Sequence, residues 1–152
     1  MMISYREMTA LDLPVVVGME RAVYPIDPWS VGQFKEELAG VPLNRLYIVA
    51  VSEKDEIVGY AGVFSPGEGV ETDIHTLTVT PNYRSQGIGR AMLDQLIAWA
   101  RGRRAPAIFL EMREGNEEAN PLYISAGFTP ISRRNDYYGS GVHAVVMKKE
   151  LP

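Results

Sequence analysis

The first 40 residues show one strand pattern and two helix patterns. Residues 3–8 alternate loosely between apolar and polar side chains, which predicts a first β-strand. Thr9-x-x-Asp12 and Ser30-x-x-Gln33 have the spacing of capping boxes, in which two side chains satisfy free amide groups at a helix start. We therefore predict a helix that ends near Tyr24, a proline-bounded turn, and a short helix that ends at Gly40.

The middle of the chain shows three strand patterns, a helix pattern and a further strand. Leu46–Ser52 and Ile57–Phe64 are β-rich runs around a charged turn, and Glu71–Val79 is a third run. Gly87–Arg101 has apolar side chains at helical spacing, and Ile108–Met112 is a short apolar strand. A strand, a helix and a strand in this order predict a right-handed parallel crossover.

The last part of the chain predicts one helix and a closing hairpin. Either Asn116 or Asn120 caps a helix that ends at Gly127. Phe128–Tyr138 and Ala144–Glu150 then form two strands around a glycine-containing turn. The whole order predicts a single mixed α/β domain over residues 1–152.

Composition narrows the classes of function. The chain has no cysteine, which excludes disulfides, thiolate nucleophiles and cysteine-bound metals. It has two histidines, His75 and His143, so a multi-histidine metal site is not expected. The net charge of −4 argues against sequence-independent nucleic-acid binding. The chain contains no long apolar run and begins without a signal-peptide pattern, so we expect a cytoplasmic protein with no membrane partner.

The segment Arg84-Ser85-Gln86-Gly87-Ile88-Gly89-Arg90 lies where a predicted strand passes into a helix. Two glycines let backbone N–H groups approach a ligand, and a helix start favours phosphate. The alternative is that the glycines only make a tight helix entry. Position 92 is Met, so the segment lacks the third glycine of a dinucleotide fingerprint, and the chain has no GxxxxGK phosphate loop.

This Arg-x-x-Gly-x-Gly segment, after a strand ending in Thr76–Val79, resembles the acyl-CoA signature of the GNAT superfamily of N-acetyltransferases. The likeness covers nearly the whole chain. It implies a mixed, mostly antiparallel sheet of about seven strands, a central parallel β-α-β crossover and about four helices. Within the superfamily, four segments resemble the ribosomal-protein-alanine N-acetyltransferases: Pro28-Trp29-Ser30, Leu110–Arg113 with Asn116, Leu122-Tyr123, and Arg134-x-x-Tyr137-Tyr138.

The resemblance implies acetyl-CoA as co-substrate, without a metal. It implies that three residues of one strand offer backbone groups to the pantetheine arm, that six residues wrap the pyrophosphate, and that Asn116 contacts the CoA arm. It also implies that Glu111 is the general base and Tyr123 the general acid. The strand residues are Leu77, Thr78 and Val79, and the pyrophosphate residues are Ser85, Gln86, Gly87, Ile88, Gly89 and Arg90.

The chemistry of acetyl transfer fits these residue types. An α-amine, with a pKa of about 7.7–8.0, needs only a modest base, whereas a lysine is harder to deprotonate. Glu111 could take the proton, or it could only pair with Arg113 or another surface cation. A phenol stays protonated at neutral pH, so Tyr123 could protonate the leaving thiolate, or it could only pack beside Leu122. If Asn120 caps its helix, Pro121 makes that helix very short.

The acceptor side is less specific. His75 is either an ordinary strand residue or part of the acceptor mouth. Three aromatic residues either frame a peptide groove or cover the core, and two carboxylates could attract a cationic acceptor. These residues are Trp29, Tyr137, Tyr138, Glu71 and Asp73. Val142-His143 stands where the similar enzymes often carry an acidic pair.

Together, the residues and the resemblance predict direct transfer of acetyl from acetyl-CoA to a protein N-terminus, in particular the N-terminal alanine of a small-subunit ribosomal protein. No cysteine can carry the acetyl group, which favours a ternary complex. The alternatives are a lysine or small-amine acetyltransferase on the same scaffold and a non-catalytic CoA-binding module.

Overall fold

The computed structural model describes residues 2–113, 120–137, 141 and 143–152. Asn116, Tyr138 and Val142 lie outside these residues. The strands are β1 Ser4–Glu7, β2 Arg45–Val51, β3 Ile57–Phe64, β4 Thr72–Val79, β5 Ala107–Arg113, β6 Thr129–Arg134 and β7 Ala144–Glu150. The helices are α1 Leu13–Val23, α2 Val31–Ala39, α3 Ile88–Gly102 and α4 Asn120–Ser125. In the described part of the chain, no helix is both long enough and apolar enough to cross a lipid bilayer.

The strands form one sheet in the order β1-β2-β3-β4-β5-β7-β6. Every neighbouring pair is antiparallel except β4 and β5, which run parallel and are connected through α3. The predicted mixed sheet with a central parallel crossover is confirmed.

The sheet carries a hydrophobic core on each face. Alternate residues of β2 serve the two cores: Ile48 faces the core that contains α3, and Val49 faces the core that contains α1 and α2. Such a strand is buried on both sides, which explains its continuous apolar sequence. Met92 and Leu96 anchor α3 on one face, and Phe34 anchors α2 on the other.

Strands β4 and β5 pair only at their beginnings. The parallel register consists of Thr72 with Ile108 and Asp73 with Phe109, after which the strands diverge. On its other side, β4 continues along β3 but contains one extra residue. Thr76 pairs with Gly62 and Ile74 with Val63, so His75 forms a β-bulge. The sheet therefore opens into a wedge at its centre.

Local details differ from the sequence prediction at two places and agree with it at a third. Thr9 caps a 3₁₀ turn, Ala10–Asp12, so α1 begins one turn later than the capping pattern predicts. Helix α4 begins at Asn120 and has six residues, as the position of Pro121 predicts. Strand β6 is shorter than the predicted run that extends to Tyr138.

Candidate active site

The wedge between β4 and β5 opens into a cleft of about 990 Å³. We call it the α3 cleft, because the start of α3 closes one end and the free edge of β4, the end of β5 and α4 form its walls. Most residues predicted for the CoA side line it: Leu77, Thr78, Val79, Ser85, Gly87, Ile88, Gly89 and Arg90. Gln86 is exposed and is not part of this lining.

The turn into α3 exposes backbone donors to this cleft. Ser85 and Gly87 have positive φ angles of 62° and 85°, which bend the chain sharply before the helix. The Ala91 amide donates to the carbonyl of Gly87, so the amides of residues 88–90 precede the first helical hydrogen bond. These free N–H groups and the positive helix end form a site suited to phosphate.

A second glycine of the segment serves packing. A Cβ atom at Gly89 would lie 3.2 Å from Cδ2 of Leu122, so the absence of a side chain lets α3 approach α4 closely. At Gly87, by contrast, a Cβ atom would meet no other atom within 4 Å, and only the backbone conformation requires glycine.

Along β4, the peptide groups face β3 and the wedge alternately. The Thr80 amide donates to the carbonyl of Val58 on β3 at 2.9 Å. By the antiparallel pattern, the peptide groups of Thr78 also face β3, whereas those of Leu77 and Val79 face the wedge. The Thr78 hydroxyl lies 2.9 Å from the Tyr24 hydroxyl and ties β4 to the end of α1.

Glu111 and Tyr123 line the α3 cleft from different elements. Glu111 lies on β5, and its carboxylate is 3.2 Å from the Arg134 guanidinium. Among the side chains that the structure describes, the cation paired with Glu111 is thus Arg134. Tyr123 is buried on α4, where its ring packs edge-to-face on Phe128 with 5.9 Å between ring centroids. Glu111 therefore lines the cleft and also forms an ion pair, whereas Tyr123 lines the cleft and also packs in the core.

A second cleft of about 760 Å³ opens on the face of the sheet that carries α2. We call it the α2 cleft. It shares Trp29, Ile74, His75, Leu110 and Glu111 with the α3 cleft, so the two meet across the wedge. Four residues predicted for the acceptor side line it, namely Trp29, Asp73, His75 and Tyr137, whereas Glu71 does not.

The α2 cleft contains more carboxylates than cations. Glu36, Glu37, Asp73 and Glu111 line it together with one arginine, Arg134. Burial raises the pKa of Asp73; His75 opposes this rise, and the nearby carboxylate of Glu111 adds to it. A cationic group in this cleft would relieve the repulsion between the carboxylates.

Two glutamates, the buried Glu20 and the half-buried Glu37, shape the α2 face and were missed in the sequence. Glu20 accepts hydrogen bonds from the Tyr60 hydroxyl at 2.6 Å and from the Trp29 amide at 3.0 Å, which fixes the turn between α1 and α2. Glu37 contacts His75. Each glutamate lies three or four residues after buried apolar residues of its helix. A carboxylate at such a position of an apolar stripe indicates a polar contact inside the fold and could have been noticed in the sequence.

The model of the acetyltransferase (GNAT) family matches residues 15–128. The N-alpha-acetyltransferase RimI of Mycobacterium tuberculosis is 38% identical over 127 residues, which cover 82% of this chain and 77% of that protein. A [ribosomal protein bS18]-alanine N-acetyltransferase of Haemophilus ducreyi is 32% identical over 133 residues, which cover 85% of this chain and 87% of that protein. An uncharacterized Mycobacterium leprae protein, ML0378, is 35% identical over 95% of this chain, which spans only 43% of that protein.

The fold is also that of solved acetyltransferases. The ribosomal-protein-S18-alanine N-acetyltransferase of Escherichia coli superimposes with a TM-score of 0.83 at 26% identity, over 98% of this chain and 94% of that one. Arabidopsis thaliana NAA60 in complex with acetyl-CoA has a TM-score of 0.86 at 20% identity, over 99% of each chain, and shows the shared fold. The family match covers most of the chain and includes the wedge, the glycine turn and α3, and the protein therefore belongs to the acetyltransferase (GNAT) family.

Proposed function

We propose that the protein transfers the acetyl group of acetyl-CoA to the N-terminal α-amino group of a protein, with the N-terminal alanine of ribosomal protein bS18 as its acceptor. The observation that carries this proposal is the meeting of two clefts at the β4–β5 wedge, one with backbone donors and one with carboxylates. The name of the Mycobacterium tuberculosis relative supports an α-amino group as the acceptor, and the name of the Haemophilus ducreyi relative supports the alanine of bS18.

The donor belongs in the α3 cleft. The amides of residues 88–90 suit the pyrophosphate, and the peptide groups of Leu77 and Val79 suit the amide-containing pantetheine arm. This arrangement brings the thioester to the wedge, beside Glu111 and Tyr123. Asn116, which lies outside the described residues, remains a proposed contact of the CoA arm.

The acceptor belongs in the α2 cleft, whose carboxylates attract an ammonium group. Because both clefts reach the wedge, both substrates can be bound at once, which supports direct transfer. Glu111 accepts a proton from the attacking nitrogen, and Tyr123 donates one to the departing thiolate. Each residue lines the α3 cleft at the wedge, where the two substrates would meet.

Peptide turnover tests the proposal. An alanine-starting peptide with the first residues of bS18 from the same organism is compared with its N-terminally blocked form, a lysine peptide and a polyamine. We expect acetylation of the free alanine alone, located by mass spectrometry. Acetylation of the lysine or the polyamine in preference to the alanine would contradict the choice of acceptor. CoA binding without any turnover would indicate a non-catalytic module.

A further inference from the structure

A half-buried carboxylate of α2 holds a histidine of β4 at the junction of the two clefts. Oε1 of Glu37 lies 2.6 Å from Nδ1 of His75 and accepts a hydrogen bond from the Tyr47 hydroxyl at 2.7 Å. Oε2 of Glu37 lies 3.1 Å from Nε of Arg45. The Glu37 side chain is only 14% exposed. Groups from α2, β2 and β4 thus converge on one carboxylate.

The charge of Glu37 decides which nitrogen of His75 carries a proton. Burial opposes that charge, but hydrogen bonds from His75, Arg45 and Tyr47 outweigh it and lower the pKa of Glu37 to about 2. An ionised carboxylate can only accept hydrogen bonds, so Nδ1 of His75 must be the donor. In the neutral imidazole, Nε2 then carries the lone pair that can take a proton.

The β-bulge determines where that lone pair is available. His75 is the extra residue of β4 and lines both clefts. Its ring stacks on Phe64, with 5.4 Å between centroids and 26° between planes. Phe64 covers a ring face and Glu37 holds Nδ1. Nε2 hydrogen-bonds to none of the residues that the structure describes. The imidazole ring is therefore held in place. Its nitrogen Nε2 is available, and the His75 side chain lines the junction of the two clefts.

The acceptor needs such a group before it can react. An α-amine with a pKa of about 7.7–8.0 is mostly an ammonium ion at pH 7, and an ammonium ion has no lone pair for attack. We propose that Nε2 of His75 takes the first proton of the acceptor ammonium, and that Glu37 is the positioning residue that fixes the imidazole for this step. The inference rests on the proposed acetyl transfer and adds a catalytic residue to it.

The proton count closes with this residue included. The ammonium gives one proton to His75, which leaves a neutral amine and an imidazolium that later releases the proton to solvent. As the C–N bond forms and the C–S bond breaks, the nitrogen gives its second proton to Glu111 and the thiolate takes one from Tyr123. Transfer through water from Glu111 to Tyr123 restores both residues. The products are an amide, a thiol and one proton in solvent.

Titratable and charged groups from four elements surround His75. Carboxylates face it from three elements, and the cation nearest to it on β2 is itself paired with Glu37. These groups are Glu37 on α2, Arg45 and Tyr47 on β2, Asp73 on β4 and Glu111 on β5, the last paired with Arg134 of β6. Among these groups the carboxylates outnumber the cations, which suits a cationic acceptor at the junction.

The kinetic test replaces the base and then supplies it from solution. We expect His75→Ala to lower kcat/KM for the alanine peptide by up to about 10-fold at pH 7, because about one α-amine in ten is neutral without a base, with a deficit that shrinks as pH rises above the amine pKa. Added imidazole should restore part of the loss. Glu37→Gln can still accept the Nδ1 hydrogen bond but lacks the charge, so we expect a smaller loss of a few fold. Affinity for acetyl-CoA should stay unchanged in both variants.

Nuclear magnetic resonance tests the geometry without turnover. The His143→Ala variant contains His75 as its only imidazole, because the chain has two histidines. Nitrogen-15 shifts of this variant should report the Nδ1–H tautomer in the neutral form, and Glu37→Gln should weaken that preference. If His75→Ala unfolds, His75→Gln serves in the kinetic assay.

Two results would overturn the inference. One is an Nε2–H tautomer in the spectrum. The other is a folded His75 variant whose activity is within two-fold of the parent, or whose loss is independent of pH and of imidazole, as expected if His75 only bridges α2 and β4. If the parent instead prefers another amine, the proposed acceptor fails, while the same His75 kinetics are measured with that amine.

Discussion

The Glu111 carboxylate on β5 and the Arg134 guanidinium on β6 form an ion pair of 3.2 Å that reaches across the intervening strand β7. The Arg134 side chain is 56% exposed, whereas that of Glu111 is 26% exposed. The Glu111 end of the pair is therefore the more shielded one, and the Arg134 end is open to solvent. An acceptor amine that approaches Glu111 meets a carboxylate that is already oriented.

Removing the proton acceptor while keeping its shape tests the role of Glu111. We expect Glu111→Gln to lower kcat by roughly 10²–10⁴-fold near neutral pH, the usual contribution of a positioned base. The deficit should shrink where hydroxide can remove the second proton of the attacking nitrogen, and it should depend less on the amine pKa than the deficit of His75→Ala does. Arg134→Gln, which keeps the carboxylate, is the matched control. A pH-independent loss would indicate that Glu111 only positions substrate or water.

The complementary change is Tyr123→Phe, which removes a hydroxyl from a buried ring and keeps its packing on Phe128. We expect kcat to fall, and the defect to persist or deepen at alkaline pH, because hydroxide cannot supply the proton that the thiolate needs. Pre-steady-state release of CoA measures this step. A near-normal kcat would show that water protonates the thiolate.

The phosphate site can be tested at Gly87, where φ is 85° and a side chain would meet no neighbouring atom. Gly87→Val should weaken CoA binding strongly, because valine resists this φ and its branches obstruct access to the free amides. Gly69, with φ of 77° and equally open surroundings, provides the control. Gly69→Val carries the same backbone cost but lies outside the lining of the α3 cleft. Calorimetric titration with CoA should separate the two variants, and equal affinities would contradict the assignment.

The acceptor entrance can be tested at Trp29. Its amide is held by Glu20, and its ring packs on Phe34 with 5.1 Å between centroids. Trp29→Ala should raise the KM for the peptide several-fold while the Kd for acetyl-CoA stays within about two-fold, since the α3 turn is untouched. Equal damage to both substrates would point to a packing role in the α2 core.

Glu37 should make stability depend on pH. Its pKa falls from 4.5 to about 2 on folding, so its contribution, on the order of 3 kcal/mol, is present above pH 4.5 and is lost as pH falls toward 2. Urea unfolding at several pH values should therefore give a flatter acid dependence for Glu37→Gln than for the parent. Asp94→Asn, at an exposed helix pair with Arg90, should leave the slope unchanged. A parent-like slope in Glu37→Gln would refute this account.

Periodic segments of the sequence were sufficient to place most elements. The helix stripe from Ile88 and the apolar run of β3 reproduce the observed bounds closely, because each element buries a face that its own spacing defines. The likeness to known acetyltransferases supplied the mostly antiparallel sheet of about seven strands, but not the order of its strands. Periodicity describes single segments, and the likeness describes the family's common fold. Neither specifies an individual side-chain contact.

The contacts of the site depend on residues far apart in the chain. Glu37 and His75 are separated by 38 positions, and their contact requires the bulge in β4, which follows from the register with β3. The sequence offered Arg113 or another surface cation as a partner for Glu111, and the structure pairs Glu111 with Arg134 across β7. Strand order and register determine these contacts, and neither can be predicted from one short segment of the sequence.

The two-residue pairing between β4 and β5 has a consequence for how such a protein can evolve. On the proposed donor side, the wedge exposes peptide groups, which every residue type except proline supplies in full, so substitutions that preserve the strand should leave CoA recognition intact. On the acceptor side, recognition depends on individual side chains such as Trp29, Asp73 and His75. Few mutations on that side should be enough to redirect the enzyme to another amine while its use of acetyl-CoA is inherited unchanged.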